Sequence, residues 1–421
     1  MIRPRKIKLP TVPVSPWLIW LTVLGLLLAA ALVAGLMVFW QGLSLTNLTD
    51  RVPWGLWITI DLSAIALSAG AFTLCAAVYL IGLKRYEPIA RTATFVGLIG
   101  YTMAMLALLL DIGRPDRFWH ALVYWNGHSL LWEVTMCVML YLAVLLLESM
   151  PIFARLDWLR KKFPLLAEKM SRVHHYAPYL AVAGLALSSL HQSSLGGVYG
   201  VLKARPVWYK PEMTVLFMLS AIIGGIALTL FASMLASRLT RKARINDILI
   251  ERVAHFVGWA LVGYLYIRFW DVFAQHYTYE PGRTEGMALL TSGPLSFNFW
   301  ILEMLLGALV PMVLLLTPRT RGHPFWRMVA LGLIVIGVIA YRWDTNLSGL
   351  LIVMPYLPGG QPMAYVHYSP SLIELAAGMG VIAYGLLAFS LGVRYLNIVN
   401  HRMTSEQTQA ETVQVPDAVP A

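Results

Sequence analysis

Apolar runs of about twenty residues recur from one end of this 421-residue chain to the other. A helix needs about 20 apolar residues to cross the hydrocarbon core of a bilayer. Backbone groups in lipid must bond to one another, so each run predicts a helix. The runs place helices at 18–40, 55–83, 91–110, 128–150, 175–193, 212–236, 249–271, 296–317, 325–343 and 371–393. The composition agrees: 58% of residues are hydrophobic and 13% charged, against about 25% charged in a typical soluble domain. The expected fold is an all-α polytopic membrane protein of about ten transmembrane helices. Residues 1–17 form a cytoplasmic N-terminus, 18–393 the transmembrane domain and 394–421 a cytoplasmic tail. The tail is polar, contains Pro416 and Pro420, and reads as largely disordered.

Ten helices put both termini on one side. Of the 32 lysines and arginines, 23 fall in segments 1–17, 84–91, 155–172, 238–252, 319–327 and 394–402, and 7 in the alternate connections, with Arg268 and Arg342 at helix ends. Lysine and arginine collect in cytoplasmic loops, so both termini are expected in the cytoplasm. The net charge of +11 therefore has a membrane explanation, and no nucleic-acid partner is needed. The basic start "MIRPRKIKLP" precedes an uncharged run, Leu18–Trp40. That run is too long for a signal-peptide core and lacks a small-residue cleavage site, so it reads as a retained first helix. Cys75 and Cys137 lie singly in apolar segments and read as core residues. They can supply neither an iron–sulfur centre nor a structural zinc site. No P-loop is present.

Ionisable residues at membrane depth are costly and usually mark function. Here they gather in the outer half: Asp61, Asp111, Arg114, Glu133, His191, Glu212, Arg268, Asp271, Glu303, Arg342 and Glu374. The cytoplasmic half holds only Glu148 and His255. Some have structural explanations. Arg268 and Asp271, three apart on a helix, can neutralise each other, and Asp111 and Arg114 can do the same. Glu212 and Glu374 sit where a helix N-terminus favours a carboxylate. Asp61, Glu133, His191 and Glu303 have no basic neighbour within four positions and read as functional. "SLLWEVTMCVMLYLAVLLLE" in the fourth helix is faintly echoed by "SFNFWILEMLLGALVPMVLLL" in the eighth. The echo suggests two four-helix bundles, helices 2–5 and 6–9, with flanking helices.

Six segments then carry a resemblance: "PWGLWITIDLSA" at 53–64, "DIGRPDRFW" at 111–119, "SLLWEVTMCVMLYLAVLLLE" at 129–148, "HQSSLGG" at 191–197, "FWILEML" at 299–305 and "YSPSLIELAAGMG" at 368–380. They resemble the NrfD-type (polysulfide reductase) membrane-anchor family. The similarity is greatest to the Hyb-type membrane subunit of quinone-linked nickel–iron hydrogenases and its sulfur-metabolism relatives. The resemblance implies a multi-pass subunit of the bacterial inner membrane with no haem, iron–sulfur cluster or metal of its own. It exchanges electrons between an exchangeable quinone or quinol and a ferredoxin-like iron–sulfur subunit, itself joined to a catalytic subunit on the outer, periplasmic face. The resemblance also places the quinone site in the first bundle. There Asp61, Glu133 and His191 would handle protons, His191 and Ser193 would meet the quinone, and Asp111 and Arg114 would shape the mouth. An imidazole can hydrogen-bond a quinone carbonyl and titrates near neutrality. A carboxyl group out of water can hold a proton to pass on. Gly196 and Gly197 are expected to turn the backbone tightly beside His191.

Three other readings remain. A b-type cytochrome needs two helical histidines at one depth, and apart from His128 and His175 at the very starts of two helices the predicted helices contain only His191 and His255, at opposite ends. A secondary transporter expects polar breaks at the midplane. A passive membrane anchor explains the long outer loops but not the buried carboxylates. Proton translocation coupled to quinone chemistry would need a path past Glu133 to Glu148.

Overall fold

Each predicted run becomes a long helix in the computed structural model, which describes residues 15–354, 363–396 and 398–401. The disorder predicted for the tail lies outside these residues beyond His401. The long helices are α1 Pro16–Gln41, α2 Leu56–Tyr79, α3 Glu87–Asp111, α4 Leu130–Phe153, α5 Ala177–Gly200, α6 Glu212–Leu239, α7 Asp247–Thr278, α8 Asn298–Leu316, α9 Pro324–Ser348 and α10 Leu372–Leu391. Local chemistry fixes their starts. Ser15, Ser129 and Asn246 accept the backbone N–H three residues on, and Ser371 with Glu374 forms a reciprocal capping box. Short helices lie in the connections, and β1 Ile352–Val353 and β2 Ala364–Tyr365 form a two-stranded antiparallel ladder.

Among the described residues nine helices are long and apolar enough to cross a membrane, and the chain is a multi-pass integral membrane protein. The tenth long helix, α5, carries the polar run His191–Ser194. It nevertheless runs the full depth. A Cβ on Gly184, near its start, would lie 3.8 Å from the Glu148 carboxylate near the end of α4. One on Gly200, at its finish, would lie 2.8 Å from the Lys210 carbonyl before α6. The apolar pattern ends this helix at 193. The helix continues two turns further because His191, Gln192 and Ser194 each find a partner on another helix.

Helices α2–α5 close one ring of contacts and α6–α9 another, joined where α2 and α5 meet α6. Small residues set the closest approach. A Cβ on Gly70, where α2 breaks for one residue at Ala69, would collide with the Gly225 carbonyl of α6. Backbone contact of this kind replaces hydrophobic driving force inside a membrane. α8 begins as wide π-type turns, Asn298–Leu309, and reverts to α-helix at Val310, beside Pro311. α1 and α10 pack together outside the first ring. The Trp17 ring sits under Arg394 at 4.5 Å, and the Trp20 indole donates to Ser390 at 3.1 Å. The start of α1 and the end of α10 therefore share a side, which is called here the termini side.

Candidate functional site

The first ring holds a set of buried polar groups whose bonding is incomplete. His191 is fully buried on α5, and its Nδ1 lies 2.9 Å from the Tyr101 hydroxyl of α3. Tyr101 meets Tyr141 of α4 edge to face, with ring centroids 4.7 Å apart. His191 Nε2 has no partner among the described residues. Gln192 spends its amide N–H on the Ile65 carbonyl of α2 at 3.1 Å, while its Oε1 is unpartnered. Asp61, one turn before Ile65, is buried with Oδ1 unpartnered. Glu133 is half-buried and accepts the Ser194 hydroxyl at 2.8 Å. Buried polar atoms are normally paired, so this concentration on α2–α5 needs an explanation.

Helix geometry orders these groups by depth. Glu133 and Asp61 lie three and five residues from the starts of α4 and α2, and His191 nine residues before the end of α5. At about 1.5 Å per residue, His191 sits roughly a turn deeper than the level of Asp61, Ser194 and Glu133. The three predicted residues thus occupy the same half of the same ring, but not one level.

Several expectations are corrected. Arg114 does not pair with Asp111. Gly113 takes a positive φ of 69°, and the exposed guanidinium beyond this turn clasps Asp116 at 3.1 and 3.2 Å. That bond holds the Asp116 carboxyl below its usual range. Asp111 stays half-buried at the end of α3, with Oδ1 unpartnered. Ser193, expected to meet the quinone, is half-buried, and its neighbour Ser194 donates its hydroxyl to Glu133; neither observation bears on that expectation. Gly196 and Gly197 make no turn. Gly196 lets α5 lie against α6, where a Cβ would fall 2.7 Å from the Thr214 Cα. Tyr101, Tyr141 and Gln192 received no role from the sequence. The available signal was a tyrosine in the apolar stretch "VGLIGYTMAM", because a buried hydroxyl usually finds a partner.

Glu303, which has no basic neighbour in sequence, has one in space. On α8 it accepts Arg268 through both oxygens at 2.8 and 3.3 Å, and the Tyr264 hydroxyl at 3.0 Å. Arg268 also bonds Asp271 at 2.5 Å, as its spacing predicted, and Asp271 bonds Lys210 at 2.5 Å. Phe299 and Tyr341 sandwich the Arg268 guanidinium at 5.3 and 5.2 Å. Its echo Glu133 has one hydroxyl where Glu303 has an arginine and a tyrosine. Glu303 is thus neutralised, although Asp344 Oδ2, Gln275 Oε1 and two Arg342 nitrogens in the second ring are unpartnered, whereas Glu133 in the first ring has only the Ser194 hydroxyl. Glu374 is structural as well. It caps α10, accepts the Asn47 amide at 2.9 Å and takes the Tyr368 hydroxyl.

No group of three or more His, Cys, Asp or Glu that could hold a metal ion occurs among the described residues. His255 accepts the Trp259 indole at 3.2 Å, and the longer α7 takes His276 into its last turn.

Residues 44–353 match the family described as polysulphide reductase, NrfD. The chain is 33% identical to the integral membrane subunit of menaquinone reductase from Nitratidesulfovibrio vulgaris, over 91% of this chain and 92% of that protein. It is 26% identical to the probable Ni/Fe-hydrogenase 2 b-type cytochrome subunit of Escherichia coli, over 85% and 86%. It is 25% identical to the Hdr-like menaquinol oxidoreductase integral membrane subunit of Archaeoglobus fulgidus, over 86% and 89%.

Proposed function

We propose, because this chain belongs to the polysulphide reductase NrfD family, that it is the quinone-reactive membrane subunit of an oxidoreductase complex. The observation that carries the reading is the unpartnered Nε2 of the fully buried His191, in the same half of the ring as the open carboxylate of Asp61. A quinone bound here would accept two electrons and two protons from the complex, or return them. The chain's own residues have separate tasks. His191 presents one ring nitrogen to a carbonyl while Tyr101 holds the other. Asp61 and Glu133 hold protons nearer the surface, Glu133 steadied by Ser194. Asp111 lies at the mouth. These residues fit an uncharged ligand that offers two oxygens and an apolar ring. The test is quinol-linked electron transfer by the intact complex, with artificial-dye activity as the control for the other subunits.

The partners proposed are a ferredoxin-like iron–sulfur subunit and, through it, a catalytic subunit. They dock on the face opposite the termini, where Trp119, Tyr124 and Trp125 are exposed beside the mouth. The distribution of basic residues puts that face outside the cytoplasmic membrane. A reporter inserted at Glu280, an exposed position after α7, is expected to be external, and one fused after Arg402 cytoplasmic. The opposite labelling would move the site and its partners to the other compartment.

Proton supply from the cytoplasm is a second element of this reading. His191 touches Tyr101, and Tyr101 touches Tyr141. A Cβ on Gly184 would meet both Tyr141, at 3.6 Å, and the Glu148 carboxylate, at 3.8 Å. Polar side chains thus step from the site toward Glu148 on the termini side. In proteoliposomes, Glu148→Gln is expected to retain quinone turnover and lose most of the membrane potential generated per turnover. Unchanged potential per turnover would remove Glu148 from any such path.

A further inference from the structure

A cavity lies away from His191, between the termini-side ends of α2, α3, α4 and α5. Its volume is about 320 Å³, and it is open to the surface. Cys75 and Glu148 line its deeper part, and Arg91, Arg155, Arg160 and His174 line it nearer the helix ends.

The arginines are unequally committed. Arg91 faces Glu87 at 3.5 Å. Arg160 spends its Nε on the Ala154 carbonyl at 3.0 Å and keeps its other donors. No ion pair joins Arg155 to a carboxylate among the described residues. Partial desolvation, with Arg91 and Arg160 as like charges nearby, outweighs the attraction of Glu87 and pushes its guanidinium below its ordinary pKa. Three guanidinium groups on one cavity, with one carboxylate at the rim and one on the floor, make a concave cationic surface. Arginine forks match phosphate oxygens in pairs.

The chain beside the cavity fixes its depth. Two short helices, Asp157–Lys162 and Pro164–Arg172, join α4 to α5. They expose Trp158, Leu165 and Leu166 together with Lys161, Lys162 and Lys169. The Lys162 ammonium lies over the Trp158 ring at 5.5 Å. A basic segment with exposed apolar side chains lies in the headgroup plane of a bilayer. The cavity mouth therefore opens among lipid headgroups rather than into bulk water.

We infer that this cavity binds the phosphodiester headgroup of an anionic phospholipid from the leaflet on the termini side, held by Arg155 and Arg160. The site is separate from the proposed quinone site and does not depend on that assignment.

The experiment uses the full chain in phosphatidylcholine vesicles containing spin-labelled phosphatidylglycerol. It compares the motionally restricted fraction with that of spin-labelled phosphatidylcholine. The wild-type chain is expected to prefer the anionic label. Arg155→Gln with Arg160→Gln is expected to weaken the preference roughly fivefold per arginine, the equivalent of ~1 kcal/mol per basic residue at an anionic surface. Arg155→Lys with Arg160→Lys retains the charge and is expected to keep most of the preference. Lys161→Gln with Lys162→Gln removes the same charge from the neighbouring surface and should weaken the preference clearly less. Equal loss in that control would make the attraction diffuse and overturn the site. So would the absence of any anionic preference in the wild type. Excess inorganic phosphate is the last arm. A preference that survives it supports the lipid, and displacement of the label by phosphate alone would assign the cavity to a free anion instead.

Discussion

His191→Ala is expected to lower quinone-linked electron transfer by about two orders of magnitude or more, the usual effect of losing a positioned acid–base group. Activity with artificial dyes and assembly of the complex should remain. The argument rests on the two ring nitrogens. A tyrosine hydroxyl that donates to Nδ1 leaves the ring proton on Nε2, so Tyr101 would set His191 as a donor toward the open side of the site. Tyr101→Phe removes that control but keeps the ring and its edge contact with Tyr141. It should reduce turnover less than His191→Ala and alter its pH profile. Asp61→Asn keeps the shape and removes the ionisable proton, and is expected to impair turnover while quinone affinity changes little. Wild-type quinone kinetics in His191→Ala would eliminate the histidine from the site, and the proposed location with it.

The helices were legible because lipid leaves a chain few choices. A run such as Leu18–Trp40 has to be helical whatever surrounds it. The details that failed depend on contacts distant in sequence. "HQSSLGG" reads as the end of a helix because amides, hydroxyls and glycines are poor company for lipid. Its actual neighbours are the Ile65 carbonyl, Glu133 and the backbone at Thr214, all from other helices, so α5 continues to Gly200. Asp111 and Arg114 have the same spacing as Arg268 and Asp271. Only the second pair forms, because it lies within one helix while Gly113 turns the chain between the other two. Glu303 reads as unpartnered because its arginine lies 35 positions away in sequence. Local spacing could locate the carboxylates at membrane depth. It could not separate those already neutralised from those left open.

That distinction leads to the second large effect. Glu303→Ala is expected to destabilise the chain by about 3–5 kcal/mol, the cost of leaving a buried charge without its partner. Arg268 would lose the acceptor it now grips at 2.8 and 3.3 Å, and Tyr264 would lose its hydrogen bond. Asp271 could not compensate fully, because it is shared with Lys210. Thermal unfolding of the detergent-solubilised chain would register the loss. A double variant separates charge from packing. Arg268→Met with Glu303→Met removes one positive and one negative charge and leaves the Lys210–Asp271 pair at 2.5 Å. Buried pairs replaced together by apolar residues of similar volume often cost little. The double variant is therefore expected to recover most of the stability lost by either single change, and to keep quinone turnover, since the second ring does not bind the ligand in this reading. A double variant as unstable as the sum of the two singles would mean that the network stabilises this ring through its geometry rather than by mutual neutralisation. Loss of turnover in a stable double variant would place the α6–α9 ring in the functional site.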